Sequence, residues 1–219
     1  MTKFKKITGI ILAGCMTLSS LMMTAGAAEV SADSISKATA LSAYAGETLE
    51  CNLVTLDASG DATETFFEID LPTNATNADQ YRLVMNEVEN LSEAPATRAA
   101  RASWYELCYR EDVFVPKNSD QALVNPNAAS VWMDADYSRV SLYMSRIDPA
   151  VGTLNVRFES VPDGSPNSYT EMRKTVTNRE CVVVVYEDDL ALSFHNTLNA
   201  YVSGNSGSGT MNALLEGYR

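Results

Sequence analysis

One run, Cys181-Val-Val-Val-Val-Tyr186, restricts the folds open to this chain more than any other feature. It is apolar at odd and even positions alike, which a strand tolerates only when both of its faces are covered. Around it, period-two alternation recurs. Leu49, Cys51 and Leu53 alternate with Glu50 and Asn52; Phe67, Ile69 and Leu71 with Glu68 and Asp70; Tyr105, Leu107 and Tyr109 with Glu106 and Arg110. Val140, Leu142 and Met144 alternate with Arg139, Ser141 and Ser145; Leu154, Val156 and Phe158 with Asn155, Arg157 and Glu159. Tyr81, Leu83 and Met85 alternate with Arg82 and Asn86, with Val84 out of pattern. Three further sets follow the same rule: Leu190, Leu192 and Phe194; Leu198, Ala200 and Val202; Met211, Ala213 and Leu215. Each reads as a half-buried strand, apolar inward and polar outward.

Turn signals separate these segments, among them Asp57-Ala-Ser-Gly60, Asp148-Pro149 and Pro162-Asp-Gly164. No long helical pattern lies between them, so βαβ units are not expected. The expectation is an all-β fold, an antiparallel β-sandwich of about ten short strands over residues 48–219, with two small β units as the alternative. A break between two units would fall at 92–103 or 116–130, both rich in Ala, Pro, Asn and Ser. Residues 28–47 read as a flexible lead-in or a short helix, with Ile35, Ala38 and Leu41 at helical spacing.

The chain opens with Lys3, Lys5 and Lys6, continues through an apolar stretch to about Met23, and reaches the small residues Ala25-Gly26-Ala27-Ala28 before Glu29. A basic start, an apolar middle and a small-residue end make a Sec-type signal peptide over residues 1–27. The stretch is short for a spanning helix and is interrupted by Gly9, Gly14, Ser19 and Ser20. Within it, Leu12-Ala13-Gly14-Cys15 resembles a bacterial lipobox. That resemblance implies lipidation at Cys15 and a membrane-anchored lipoprotein. Only about eight residues part the lysines from Cys15, and the chain stays apolar after it, which favours cleavage near Ala27 and a secreted, extracellular bacterial protein. No membrane span is expected in the mature chain.

The full chain carries 16 basic and 28 acidic residues, a net charge of −12, and loss of the three leader lysines takes it to about −15. So acidic a surface repels nucleic acid and anionic headgroups. Hydrophobic residues are 46% of the chain, the range of a globular domain. Cys51, Cys108 and Cys181 remain after the leader, so at most one internal disulfide can form. No C-x-x-C spacing supports a zinc or dithiol redox site.

Catalytic chemistry is limited by histidine, since the mature chain holds only His195. Gly204-Asn205-Ser206-Gly207-Ser208 resembles the nucleophile loop of chymotrypsin-fold serine proteases, the glutamyl endopeptidases in particular. The resemblance implies Ser206 as nucleophile. In that family the base histidine lies far upstream, whereas His195 stands eleven residues before Ser206. A Gly/Ser hairpin loop joining the last two strands, with glycine supplying positive φ, accounts for the segment. Neither a P-loop, H-E-x-x-H nor G-x-G-x-x-G is present.

Asp57, Ser59, Asp61, Thr63 and Glu68 match positions 1, 3, 5, 7 and 12 of a calcium loop, but Ala62 replaces the glycine at position 6. A turn-borne calcium site on Asp57, Ser59, Asp61 and Glu68 is an expectation; no other cofactor is implied. Asp134 and Asp136 form a similar pair. Trp104, Trp132 and Tyr143 fall on polar strand faces, where aromatic rings stack sugars or anchor a protein partner. The reading favoured is therefore a secreted, non-catalytic domain that binds a protein, glycan or cell-wall component. A small carboxylate-dependent hydrolase and an envelope structural or assembly protein are the alternatives.

Overall fold

The computed structural model describes residues 39–92, 104–122, 131–133, 136–164, 170–187, 193 and 196–219. Its strands are β1 (Thr48–Leu56), β2 (Ala62–Asp70), β3 (Trp104–Val115), β4 (Gln121–Ala122), β5 (Val131–Trp132), β6 (Arg139–Ser145), β7 (Leu154–Val161), β8 (Thr170–Val176), β9 (Cys181–Tyr186), β10 (Thr197–Gly204) and β11 (Gly209–Tyr218). One α-helix, α1 (Asn77–Leu91), follows β2. The larger sheet has the order β2-β1-β9-β6-β11-β3; the second runs β4-β10-β7-β8, with β5 also on β10. The fold is all-β, as the alternation implies.

The Cys181–Tyr186 run is β9, third in the larger sheet, and all six of its residues are buried. Val182, Val184 and Tyr186 join the core shared by the two sheets, packing with residues such as Phe158, Val156 and Leu198. Cys181, Val183 and Val185 face the other way, into a second core with Val84, Met85 and Val88 of α1. The molecule thus has three layers, helix on sheet on sheet, and β9 is apolar twice over because it lies in the middle one.

Two expectations are corrected. The sheet is not wholly antiparallel: β9 runs parallel to β1, with Cys51 beside Cys181 and Leu56 beside Tyr186. The segment holding Tyr81, Leu83 and Met85 is a helix, not a strand. Its buried positions are Gln80, Val84, Met85 and Val88, spaced as one helical face. The Val84 that spoils alternation is the helix's signature. Thr76 caps it: the Asp79 N–H donates to Thr76 Oγ1 (3.2 Å) and the Thr76 N–H to Asp79 Oδ2 (3.0 Å).

The stretches 93–103 and 123–130, the larger parts of the two suggested breaks, lie outside the described residues, as do the leader and the Leu190–Phe194 alternation apart from Ser193. Among the described residues no helix is long and apolar enough to cross a membrane.

Candidate functional site

β8 ends in the second sheet at Val176 and β9 begins in the larger one at Cys181, so the connection Thr177–Glu180 must bridge the two layers. It is pinned where it starts: Asn52 Nδ2 donates to the Thr177 carbonyl at 2.9 Å and to Glu64 Oε2 at 3.0 Å. It is pinned again where it ends, by the Glu50 N–H donating to Glu180 Oε2 at 2.9 Å. Between these anchors the Arg179 guanidinium reaches across β1 toward the edge strand β2. Its Nε is 3.6 Å from Glu50 Oε2, and its carbon lies 5.1 Å from the centre of the Phe66 ring. The ion pair is open to water and contributes little by itself. Its effect is to hold a cation over an aromatic ring that is 53% exposed.

Two hollows of about 410 and 510 Å³ share Glu50 and Arg179. Both volumes are in the range of ligand sites. The first adds Phe66, Phe67 and Glu68; the second adds Tyr44, Thr153, Asn178 and Glu180. Asn178 Oδ1 and Thr153 Oγ1 are buried and have no hydrogen-bond partner among the described residues. Burial, and then the negative charge of Glu180, raise the Tyr44 phenol above its ordinary range, so it stays a neutral donor beside them.

A second polar cluster lies beneath α1. Glu216 on β11 pairs in register with Glu106 on β3 and with Ser141 on β6. Glu216 is 1% exposed. The Tyr81 hydroxyl, carried by α1, donates to Glu216 Oε1, and Ser141 Oγ donates to Oε2 at 3.1 Å. Burial pushes the Glu216 carboxyl up to about 7; the two hydrogen bonds oppose that rise and the charge of Glu106 adds to it. A carboxyl so poised suits acid–base chemistry. This one is covered by the helix and lines neither hollow.

The sequence-derived candidates fall apart in space. Asp57, Ser59 and Asp61 share the β1–β2 turn, where Asp57 Oδ1 accepts from Ser59 N (3.0 Å), Ser59 Oγ (2.6 Å) and Asp61 N (2.9 Å). These bonds lower the Asp57 carboxyl, led by that from the Ser59 hydroxyl. Glu68 stands seven residues beyond Asp61, inside the nine-residue β2. At the rise of an extended strand that is about 23 Å, so Glu68 cannot complete a site with the turn. Among the described residues no group of three acidic, histidine or cysteine side chains could hold a metal ion. Asp134 lies outside the described residues.

Tyr143 is not an outward platform. It is 3% exposed because α1 covers its face of the sheet. Gln80 Nε2 donates to its hydroxyl at 3.0 Å, Ser42 Oγ donates to Gln80 Oε1 at 2.5 Å, and Tyr81 meets its ring edge-on at 5.4 Å. Trp104 is half-buried against Tyr218 (5.0 Å between ring centres), with the Arg139 guanidinium 5.6 Å from its ring. Trp132 pairs through its backbone with Thr197; its side chain is outside the described set, as is His195.

The base that the protease resemblance would require, His195, lies outside the described residues, whereas Ser206 lies within them. Its hydroxyl donates to Asn205 Oδ1 at 2.8 Å. The Gly204–Gly209 segment is also not a hairpin: β10 belongs to the second sheet and β11 to the first, so it is a passage between layers. Its glycines answer close approach rather than positive φ. A Cβ on Gly207 would sit 2.5 Å from the Ala150 carbonyl oxygen, and one on Gly204 would sit 2.6 Å from the Gly207 carbonyl oxygen.

Residue-by-residue reading missed the hollow because Glu50, Phe66, Thr153 and Asn178–Arg179 come from four parts of the chain. One signal was available: in the adjacent pair Phe66-Phe67 one ring must point to the polar face of its strand.

No family model matches the chain, and no curated protein does. Among solved structures it is similar to a structure of the empty head of Turnip yellow mosaic virus, at 10% identity over 58% of this chain and 84% of that one, with a TM-score of 0.28. A second Turnip yellow mosaic virus structure has 11% identity, the same coverage and a TM-score of 0.27. At these scores the likeness carries no weight for function.

Proposed function

We propose that this chain is a secreted, non-catalytic β domain, and that the hollow around Glu50, Phe66, Arg179 and Asn178 binds an extracellular glycan or cell-wall component. The observation that carries this reading is the exposed Phe66 ring, which lines one hollow together with the oxygens of Glu50 and the guanidinium nitrogens of Arg179. Sugars present hydroxyls that pair with such atoms and apolar ring faces that lie on phenyl rings. The acidic net charge of −12 argues against a nucleic-acid or anionic-lipid partner.

The test is calorimetric titration of the exported protein with soluble cell-wall glycan fragments, alongside Phe66→Ala and Asn178→Ala. Saturable binding weakened at least tenfold by each substitution supports the reading. Binding unchanged in both variants refutes the site, and an absence of binding to every glycan refutes the ligand class. The hydrolase alternative has its own support in Glu50 and Glu180 lining the same hollow. Turnover of a glycan by the native protein, abolished by Glu180→Gln, would replace binding with hydrolysis.

A further inference from the structure

Cys51 and Cys181 are far apart in sequence but neighbours across the parallel pair β1–β9, where they stand in direct register. Adjacent strands lie about 4.8 Å apart, inside the Cα separation that a disulfide accepts. Both side chains point to the helix-covered face: each belongs to the core of Val84, Met85 and Val88, with Cys51 1% exposed and Cys181 0%. Both are free thiols in this structure, and burial, followed by the hydrogen bond and charge of Cys51, raises the Cys181 thiol well above its ordinary value.

The third cysteine is excluded twice. Cys108 lies on β3, the far edge of the sheet, three strands from β9 and four from β1, about 14 and 19 Å by strand spacing. Its side chain also packs against the opposite core, the one between the two sheets.

We propose that Cys51 and Cys181 form a disulfide in the exported protein, leaving Cys108 as a thiol. In the folded chain both sulfurs are sealed from solvent, so the bond forms during folding, while they are still accessible. The oxidant is a small-molecule disulfide or a thiol–disulfide oxidoreductase outside the cytoplasm. With oxidised glutathione, the Cys51 thiolate attacks one glutathione sulfur and expels a glutathione thiolate. The Cys181 thiolate then attacks Cys51 Sγ, forming the protein bond and expelling the second. One glutathione disulfide is reduced to two thiols, which take up the two protons given up by the cysteines. The link would tie together β1 and β9, the parallel pair among the described strands of the larger sheet.

The experiment is refolding of the full chain from denaturant in a glutathione redox buffer, alkylation, and tryptic mapping without reduction. Trypsin places Cys51 in 38–82, Cys108 in 102–110 and Cys181 in 180–219. The expected product is 38–82 linked to 180–219, with an alkylated thiol in 102–110. The Cys108→Ser variant must retain that link. Alkylation of all three cysteines, or any link through Cys108 within or between chains, overturns the proposal. Reduction is expected to lower the melting temperature by about 5–15 °C, from the usual worth of a disulfide in a domain of this size. A link that leaves the melting temperature unchanged overturns its bracing role. None of these outcomes depends on what the hollow binds.

Discussion

Replacing Glu216 by glutamine should make the protein relatively more stable as pH rises, by an amount the structure sets. In the folded chain the carboxyl is raised from 4.5 to about 7, mainly because burial penalises its charge. The unfolded chain keeps the ordinary value. Between those two values the folded state holds a proton that the unfolded state has released. The group's favourable contribution is therefore complete below pH 4.5 and is lost as pH climbs through 7. At 1.36 kcal/mol per pKa unit the loss is about 3 kcal/mol. Glutamine keeps the shape and can still accept from the Tyr81 hydroxyl, but does not titrate. Urea unfolding of both proteins at half-unit steps from pH 4 to pH 8 measures the difference. Asp57 and Asp79, whose carboxyls are lowered by hydrogen bonds within their turns, act in the opposite direction but cancel in the comparison. The wild type's advantage should shrink by about 3 kcal/mol across that range. Parallel pH profiles, or a wild type that gains on the variant as pH rises, would refute the assignment of a buried, proton-holding Glu216.

Two further substitutions test the framework. Thr76→Ala removes the hydroxyl that accepts from the Asp79 N–H and should lower stability by about 1 kcal/mol, read as a lower urea midpoint at unchanged slope. Gly207→Ala should destabilise by about 1–3 kcal/mol, because its Cβ would sit 2.5 Å from a backbone oxygen of Ala150; Gly164→Ala, with nothing within 4 Å, separates that clash from the effect of a positive φ.

What the chain declares and what it conceals follow one rule. A strand with one open face writes its burial as alternation, so β2 and β7 can be read directly; β1, β6 and β10 also alternate in sequence, although Asn52, Ser141 and Asn199 on their polar faces are buried, and β9 announces two covered faces by having no polar side at all. The helix hides because its apolar set, from Tyr81 to Met85, also fits a short period-two template; only Val84, buried completely, separates the two readings. β8 hides for the opposite reason. Glu171, Arg173 and Lys174 make Thr170–Val176 look like a loop, yet Met172 and Val176 reach the core while Arg173 pairs with Asp120 at 3.1 Å. Once α1 is in place the site changes with it. The polar face carrying Tyr143, Ser141 and Glu216 becomes an interior, and an apparent aromatic platform becomes a buried hydrogen-bond seam. The hollows lie where the β8–β9 connection crosses between sheets, and there Asn178 Oδ1 and Thr153 Oγ1 have no partner among the described residues. Pairing of that kind depends on which layers meet, a property of the assembled chain that no local pattern records.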